Sequence, residues 1–215
     1  DGKSFKAETS KGTYRADIAV IASGTVPAGP EGIEISPEVS TRVFREVVGA
    51  AGIEGKRFAV IGGGDAAFDY ALSFAEKNEV VIFVRGSEPR CLGLLSDRCV
   101  EHERIAIYTE TEILEIDDCD DGIVLLGQVH EESGKDAGPV SISVEADYAV
   151  IATGRKPCVD FLDPSTVEKF DLLSASGILY LVGDVTAGRY RQASIAAGEG
   201  VAAAMRIEDH ISGER

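Results

Sequence analysis

The segment FAVIGGGDAAFDYAL, residues 58–72, indicates the fold class, because three glycines separate a β-rich run from a helical one. Residues 57–61 favour a strand, residues 65–76 have the spacing of an amphipathic helix, and residues 79–84 form a second β-branched run. A strand, a helix and a strand in this order predict a βαβ unit with a parallel sheet. We therefore expect an α/β fold.

The glycine turn carries a dinucleotide-binding fingerprint. Gly62-x-Gly64-x-x-Ala67 fits the pattern G-x-G-x-x-G/A, in which the first glycine permits a tight turn and the second lets a pyrophosphate approach the backbone. The third position must be small so that the helix packs on the strand. Free amides at the helix N-terminus would bind the phosphates, and a purely structural turn is the alternative. The predicted cofactor contacts are Gly62, Gly63, Gly64, Asp65, Ala66 and Ala67, with Asp65 also marking the helix start.

The end of the second strand indicates which nucleotide is bound. An acidic residue about 20 positions after the glycines usually contacts a free ribose 2′-hydroxyl, whereas this chain reads VRGSEPR at residues 84–90. Arg85, Ser87 and Arg90 suit a 2′-phosphate, because guanidinium groups bind phosphate through charge-assisted hydrogen bonds. We expect NADPH rather than NADH. Solvated surface arginines are the alternative, and the nearby Glu88 weakens the positive field.

A nine-residue segment occurs twice in the chain. ADIAVIASG, residues 16–24, and ADYAVIATG, residues 146–154, are identical at seven of nine positions. Such a repeat predicts two domains of like construction. The second copy ends 92 residues after Gly62, so the same plan would place another glycine fingerprint about 68 residues before residue 1. We therefore expect residues 1–45 to be the tail of a second nucleotide-binding domain.

The second copy ends with Thr153 and Gly154, which we also predict to contact the nucleotide. Between the fingerprint and this copy, alternating β-rich segments at 105–117, 123–130 and 140–144 predict a three-stranded meander. Pro- and Gly-rich loop sequences at residues 25–32 and 154–158 mark the approximate domain boundaries.

The C-terminal sequence GILYLVGDVTAGRYRQASIAAGEG, residues 177–200, predicts a buried strand, a turn and an alanine-rich helix. Asp184 ends that strand and faces the start of the helix, where a carboxylate can accept hydrogen bonds from ligand hydroxyls. A turn or helix cap is the alternative role for this aspartate.

Composition excludes several classes of function. A formal net charge of −16 argues against a nucleic-acid or anionic-membrane partner. The apolar runs at 18–22 and 80–84 are too short to span a membrane, and no signal peptide opens the sequence, so we expect a cytoplasmic protein. The four cysteines contain no CxxC, the three histidines are scattered, and the acidic run at 117–122 fits a hairpin turn better than a calcium loop. No metal site is predicted.

Four segments together resemble the thioredoxin reductase-like branch of the FAD- and NAD(P)-linked pyridine nucleotide-disulphide oxidoreductases: VIGGGDAAFDYAL, VRGSEPR, AVIATGRKP and LYLVGDVTAGRYRQASIAAGEG. The resemblance implies a Rossmann-like NAD(P)H-binding domain at residues 46–158, with a parallel sheet and the meander. This domain is inserted into a partial FAD-binding domain of the same kind at residues 1–45 and 159–215.

The resemblance also assigns residues to the flavin. Gly183 and Asp184 would meet the ribityl chain and pyrophosphate of FAD. The stretch after them would lie against the isoalloxazine ring, and it consists of Arg191, Gln192 and Ala193.

Two features depart from that family pattern. Thioredoxin reductases carry a CxxC just before the glycine fingerprint, whereas residues 43–57 of this chain contain no cysteine. This departure excludes dithiol exchange by that pair. The usual His-Arg-Arg after the second strand is Val84-Arg85-Gly86, which keeps one arginine of the two.

These features predict an FAD-dependent NAD(P)H oxidoreductase whose flavin takes hydride from NADPH and passes the electrons on to an unidentified redox protein or small molecule. Within the family, the members without a CxxC, which resemble ferredoxin or flavodoxin NADP reductases, match this sequence better than thioredoxin reductases with a CxxC do. A non-catalytic pyridine-nucleotide-binding module is the alternative. No catalytic residue is predicted, and a homodimer is possible by analogy. Without the upstream fingerprint, we expect the chain alone to bind FAD weakly or not at all and to be inactive.

Overall fold

The structure is a computed structural model that describes residues 4–130, 138–188 and 190–213. The chain divides into two compact units. We call Pro27–Gly154 the central unit, and we call Asp1–Val26 with Arg155–Arg215 the flanking unit.

The elements follow one another in chain order. The first four strands are β1 (Phe5–Thr9), β2 (Gly12–Ala16), β3 (Ala19–Ile21) and β4 (Thr25–Pro27). The central unit then contains β5 (Glu34–Ile35), β6 (Val43–Phe44), β7 (Arg57–Ile61), α1 (Asp65–Ala75), β8 (Glu79–Phe83), α2 (Gly93–Glu101), β9 (Ile105–Tyr108), β10 (Thr111–Cys119), β11 (Gly122–Val129), β12 (Val140–Ala146) and β13 (Tyr148–Ile151). The chain continues with β14 (Arg155–Pro157), α3 (Pro164–Glu168), α4 (Phe170–Ala175), β15 (Leu179–Leu181) and α5 (Ala193–Ser212). Short 3-10 helices lie at Pro37–Val39, Val47–Ala50 and Gly183–Val185.

A five-stranded parallel sheet organises the central unit, with the strand order β6-β13-β7-β8-β9. Helix α1 connects β7 to β8, so the predicted βαβ unit is confirmed. Both faces of the sheet are buried, which explains the nearly continuous apolar runs of its strands. Phe58 and Val60 pack in one core cluster with residues of α1. Ala59 and Ile61 pack in a second cluster with residues of β10 and β11.

A four-stranded sheet with the order β12-β11-β10-β5 completes the central unit. Strands β10, β11 and β12 pair antiparallel and form the predicted meander, while β5 adds to β10 in parallel. The β-rich segment 105–117 is not one strand but two, because β9 joins the parallel sheet before the chain turns into β10. The turn contains Glu110, whose φ of 51° is left-handed. The acidic run 117–122 forms the hairpin between β10 and β11, as expected.

The flanking unit holds small pairs of strands and the long helix α5. Strands β1 and β2 form a hairpin, β3 pairs in parallel with β15, and β4 pairs with β14. In the described part of the chain, no helix combines the length and the apolar character needed to cross a membrane.

The unit boundaries differ from those expected at residues 45/46 and 158/159. Residues 34–35 pair with β10, and residues 43–44 pair with β13. Both segments are therefore part of the central unit, which begins at Pro27 and ends at Gly154. The loop sequence at 25–32 lies closer to the observed division than residue 45 does.

Candidate nucleotide-binding site

The first glycine of the fingerprint has a structural role that only glycine can fill. Gly62 has a φ of 148°, a conformation that side chains with a Cβ rarely adopt. A Cβ at this position would lie 2.4 Å from the carbonyl oxygen of Ala152, at the end of β13. The Gly62 amide donates a hydrogen bond to the Phe83 carbonyl at 3.0 Å. The tight turn is thus fixed between two neighbouring parallel strands.

The third glycine of the turn lies against open space. Gly64 is the N-cap of α1, with φ −98° and ψ 178°, and a Cβ there would have no atom within 4 Å. Behind it, the buried Ala67 donates its amide to the Gly64 carbonyl at 3.0 Å. A Cβ at Gly63 would lie 2.9 Å from Val84, so this middle glycine lets the turn pack on the end of β8. The site therefore presents bare backbone at a helix N-terminus, which is the chemistry that binds a pyrophosphate.

Asp65 and Ala66 form the start of α1, beside this open backbone. Both are exposed. The Asp65 carboxylate accepts a hydrogen bond from the Leu92 amide at 2.8 Å, and Arg90 donates its amide to the Gly63 carbonyl at 2.7 Å. Asp65 thus anchors the loop after β8 to the glycine turn. This contact explains an aspartate at the helix start.

The predicted phosphate-binding side chains share that loop. Arg85, Ser87 and Arg90 are all exposed, and the backbone bond between Arg90 and Gly63 joins the loop to the turn. The Arg85 guanidinium lies 3.6 Å from the carboxylate of Glu112, on β10. Sequence reasoning missed Glu112, because no local pattern brings the start of β10 beside the end of β8.

The second repeat copy ends next to the turn. Ala152 donates its amide to the Ile61 carbonyl at 2.8 Å, opposite Gly62. Thr153 and Gly154 follow directly and are exposed, and Gly154 has a φ of 129°. The structure therefore brings these two predicted residues to the same edge of the sheet as the fingerprint.

The flanking unit contains a separate cleft of about 370 Å³. Its lining includes all five residues assigned above to the flavin and four others: Gly183, Asp184, Arg191, Gln192 and Ala193, with Ala22, Gly24, Val182 and Ala196. Gly24 was missed, although the repeat makes it the equivalent of Gly154. Because Gly24 and Gly154 occupy the last position of the two repeat copies, the repeat itself predicts a ligand contact at Gly24.

A carboxylate fixes the wall of this cleft. Gly183 has a φ of 78° and donates its amide to Glu199 on α5 at 2.6 Å. The Thr186 hydroxyl lies 3.3 Å from the same carboxylate oxygen and 3.0 Å from the Gly183 carbonyl. Glu199 thus holds the turn after β15 against α5. Sequence reasoning missed this residue, whose only signal is an acidic side chain within an alanine- and glycine-rich helix.

Two cysteines lie near the glycine turn and are poorly suited to nucleophilic chemistry. Burial raises the pKa of Cys99 to about 11, and its thiol donates to the Phe68 carbonyl at 3.6 Å. Burial also raises the pKa of Cys91, with a further contribution from the charge of Asp65. Both thiols are therefore protonated at neutral pH and unreactive. Among the residues that the structure describes, no group of three His, Cys, Asp or Glu could hold a metal ion.

Comparison with curated proteins finds thioredoxin and ferredoxin reductases. The chain is 26% identical over 221 residues to thioredoxin reductase of Borreliella burgdorferi, covering 98% of this chain and 66% of that protein. It is 26% identical over 206 residues to ferredoxin–NADP reductase of Malacoplasma penetrans, covering 85% of this chain and 58% of that protein. The chain thus spans less than two thirds of the length of either relative.

The fold agrees with these relationships. Thioredoxin reductase of Lactococcus lactis superposes with a TM-score of 0.80 at 22% identity, covering 99% of this chain and 72% of that one. The two share a mixed α/β architecture of the Rossmann type. The sequence pattern of the family described as pyridine nucleotide-disulphide oxidoreductase matches residues 1–200. The chain therefore belongs to the pyridine nucleotide-disulphide oxidoreductase family.

Proposed function

We propose that this chain serves in an FAD-dependent NAD(P)H oxidoreductase and that its central unit binds the pyridine nucleotide. The open backbone at Gly64 carries this proposal, since it leaves room for a pyrophosphate at the N-terminus of α1. Arg85, Ser87 and Arg90, on the adjacent loop, would hold the adenosine end. With two arginines in place of an acidic residue, NADPH is the preferred nucleotide.

The flanking unit is the proposed flavin-binding part. Its cleft joins Asp184, in the 3-10 helix that follows β15, to the first residues of α5. A carboxylate at that place can accept hydrogen bonds from the hydroxyls of a ribityl chain, and Arg191, Gln192 and Ala193 at the helix start would lie against the isoalloxazine ring. These residues therefore fit FAD, which would, when bound, accept hydride from the nicotinamide.

The proposed electron acceptor is a redox protein or small molecule other than a dithiol partner. No cysteine precedes the glycine turn within residues 43–57, and no CxxC occurs in the sequence. The raised pKa values of Cys91 and Cys99 also oppose thiol exchange at this turn. The similarity to a ferredoxin–NADP reductase supports a redox protein such as a ferredoxin as the acceptor.

The test is NADPH binding by a variant that fills the open space without disturbing the turn. Gly64 has ordinary extended backbone, so Gly64→Val should leave the unfolding midpoint nearly unchanged. Its branched side chain would occupy the place of the pyrophosphate, and affinity should fall by about tenfold or more. Gly198→Val, in α5 of the flanking unit, is the matched control and should bind NADPH as the native chain does. Equal affinity in the native chain and both variants, measured by calorimetric titration, would contradict the proposal.

A further inference from the structure

Three charged or titratable side chains meet beside the proposed 2′-phosphate position. The Arg85 guanidinium lies 3.6 Å from one carboxylate oxygen of Glu112, and the imidazole Nε2 of His130 lies 3.6 Å from the other oxygen. Arg85 follows β8, Glu112 is the second residue of β10, and His130 follows β11. The guanidinium that suits a phosphate thus already has an anionic neighbour within the protein.

Backbone hydrogen bonds hold this arrangement in place. Glu110 donates its amide to the Gly86 carbonyl at 2.9 Å and accepts from the His130 amide at 2.8 Å. Thr111 donates to the Val84 carbonyl at 3.0 Å. The left-handed φ of Glu110, 51°, is uncommon for a residue with a side chain and turns the chain from β9 into β10. The strained turn therefore fixes the start of β10 against the loop that carries Arg85.

We propose that Glu112 is a positioning residue that lowers the site's selectivity for NADPH over NADH by occupying Arg85. This inference rests on the proposed function of the central unit. A phosphate that binds Arg85 must compete with the Glu112 carboxylate and also meets its negative charge. The adenosine of NADH has no 2′-phosphate, so the same carboxylate leaves NADH affinity nearly unaffected.

Exposure limits the size of the effect. The side chain of Arg85 is 76% exposed, and that of Glu112 is 35% exposed. Solvent and salt screen charges at such a surface, so removing the carboxylate should change NADPH affinity by about 3- to 5-fold. The change should shrink as ionic strength rises.

The experiment measures the dissociation constants of NADPH and NADH for the full chain by calorimetric titration. Glu112→Gln removes the charge and keeps the shape, and it should tighten NADPH binding while NADH stays within about twofold. Glu115→Gln removes one charge from the same strand β10 and is the matched control, which should change neither constant. Arg85→Ala should weaken the binding of NADPH but not of NADH. Adding Glu112→Gln to Arg85→Ala should raise NADPH affinity by a smaller factor than Glu112→Gln does in the native chain.

The inference is overturned if Glu112→Gln leaves the ratio of the NADPH and NADH dissociation constants at its native value, whether or not both constants change. It is also overturned if the gain is just as large without Arg85, because Glu112 would then act by direct repulsion. A native chain that binds neither nucleotide would refute the proposed function as well. A native chain that binds NADPH, with an unchanged ratio in Glu112→Gln, would refute this inference alone.

Discussion

The two copies of the nine-residue repeat have nearly the same sequence and very different surroundings. Val150, in β13 of the central unit, is completely buried, whereas Val20, the equivalent residue in β3 of the flanking unit, is 47% exposed. Strand β13 lies between β6 and β7, and β3 pairs with β15 in a two-stranded sheet of the described residues. The pattern therefore determines that a parallel strand forms, while the neighbouring strands determine how deeply it is buried.

The two glycine turns differ in how they are fixed. Gly62 in the central unit donates to a backbone carbonyl of the next strand. Gly183 in the flanking unit donates to the side chain of Glu199. The first turn thus belongs to the sheet itself, and the second depends on one carboxylate of α5.

The largest effect is expected from Gly62→Ala. The methyl group would meet the Ala152 carbonyl at 2.4 Å, and the φ of 148° is unfavourable for alanine. We expect a loss of about 3 kcal/mol or more in the free energy of unfolding, measured with urea. Gly64→Ala is the control, because its ordinary backbone and open space should keep the loss below about 1 kcal/mol. If Gly62→Ala and Gly64→Ala had equal free energies of unfolding, the distinction between a structural glycine at 62 and a ligand-facing glycine at 64 would be wrong.

A smaller effect should separate the two repeat copies. Val150→Ala would leave a cavity in the core, and we expect a loss of about 1–3 kcal/mol in unfolding free energy. The same change at Val20 removes a half-exposed side chain and should cost less than about 1 kcal/mol. Urea unfolding of both variants tests this difference. Similar losses would show that β3 is buried as deeply as β13.

The smallest effect concerns the aspartate at the second position of each copy. Burial would raise the pKa of Asp147, but the Arg57 amide at 2.8 Å and the Lys56 ammonium at 3.0 Å, together with Arg42, outweigh it and lower the pKa below 3.8. Asp17, the equivalent residue, is exposed.

Because the folded-state pKa of Asp147 is depressed, its stabilisation is present above about pH 4 and is lost as the pH falls through the folded-state value. Asp147→Asn should therefore lower unfolding free energy by about 1 kcal/mol at pH 7, with the difference shrinking in acid. Asp17→Asn is the control and should change stability little at either pH. A pH-independent deficit in Asp147→Asn would assign its effect to packing alone.

Much of the central unit is predictable from local sequence. The strand at residues 57–61 and the helix beginning at Asp65 were predicted with the bounds that the structure shows at those positions. Gly62 was predicted correctly as the tight turn, because its neighbours in the chain supply the strand and the helix. Local periodicity and turn chemistry suffice for such elements.

Long-range contacts were beyond local reasoning. The short strands β5 and β6 contain two residues each, and only their pairing with β10 and β13 assigns them to the central unit. Glu112 and Glu199 form their contacts across the fold, with Arg85 and Gly183. A two-residue strand or a lone glutamate has no periodic signal, so its role follows from tertiary structure alone.

Nucleotide binding by the central unit is tested most directly by amide hydrogen exchange of the full chain with and without NADPH, read separately in the two units. We expect slower exchange at the start of α1, residues 64–68, and along residues 85–92, with no change at Gly183–Val185. Protection at Gly183–Val185 without protection at the start of α1 would contradict the assignment of the pyridine nucleotide to the central unit.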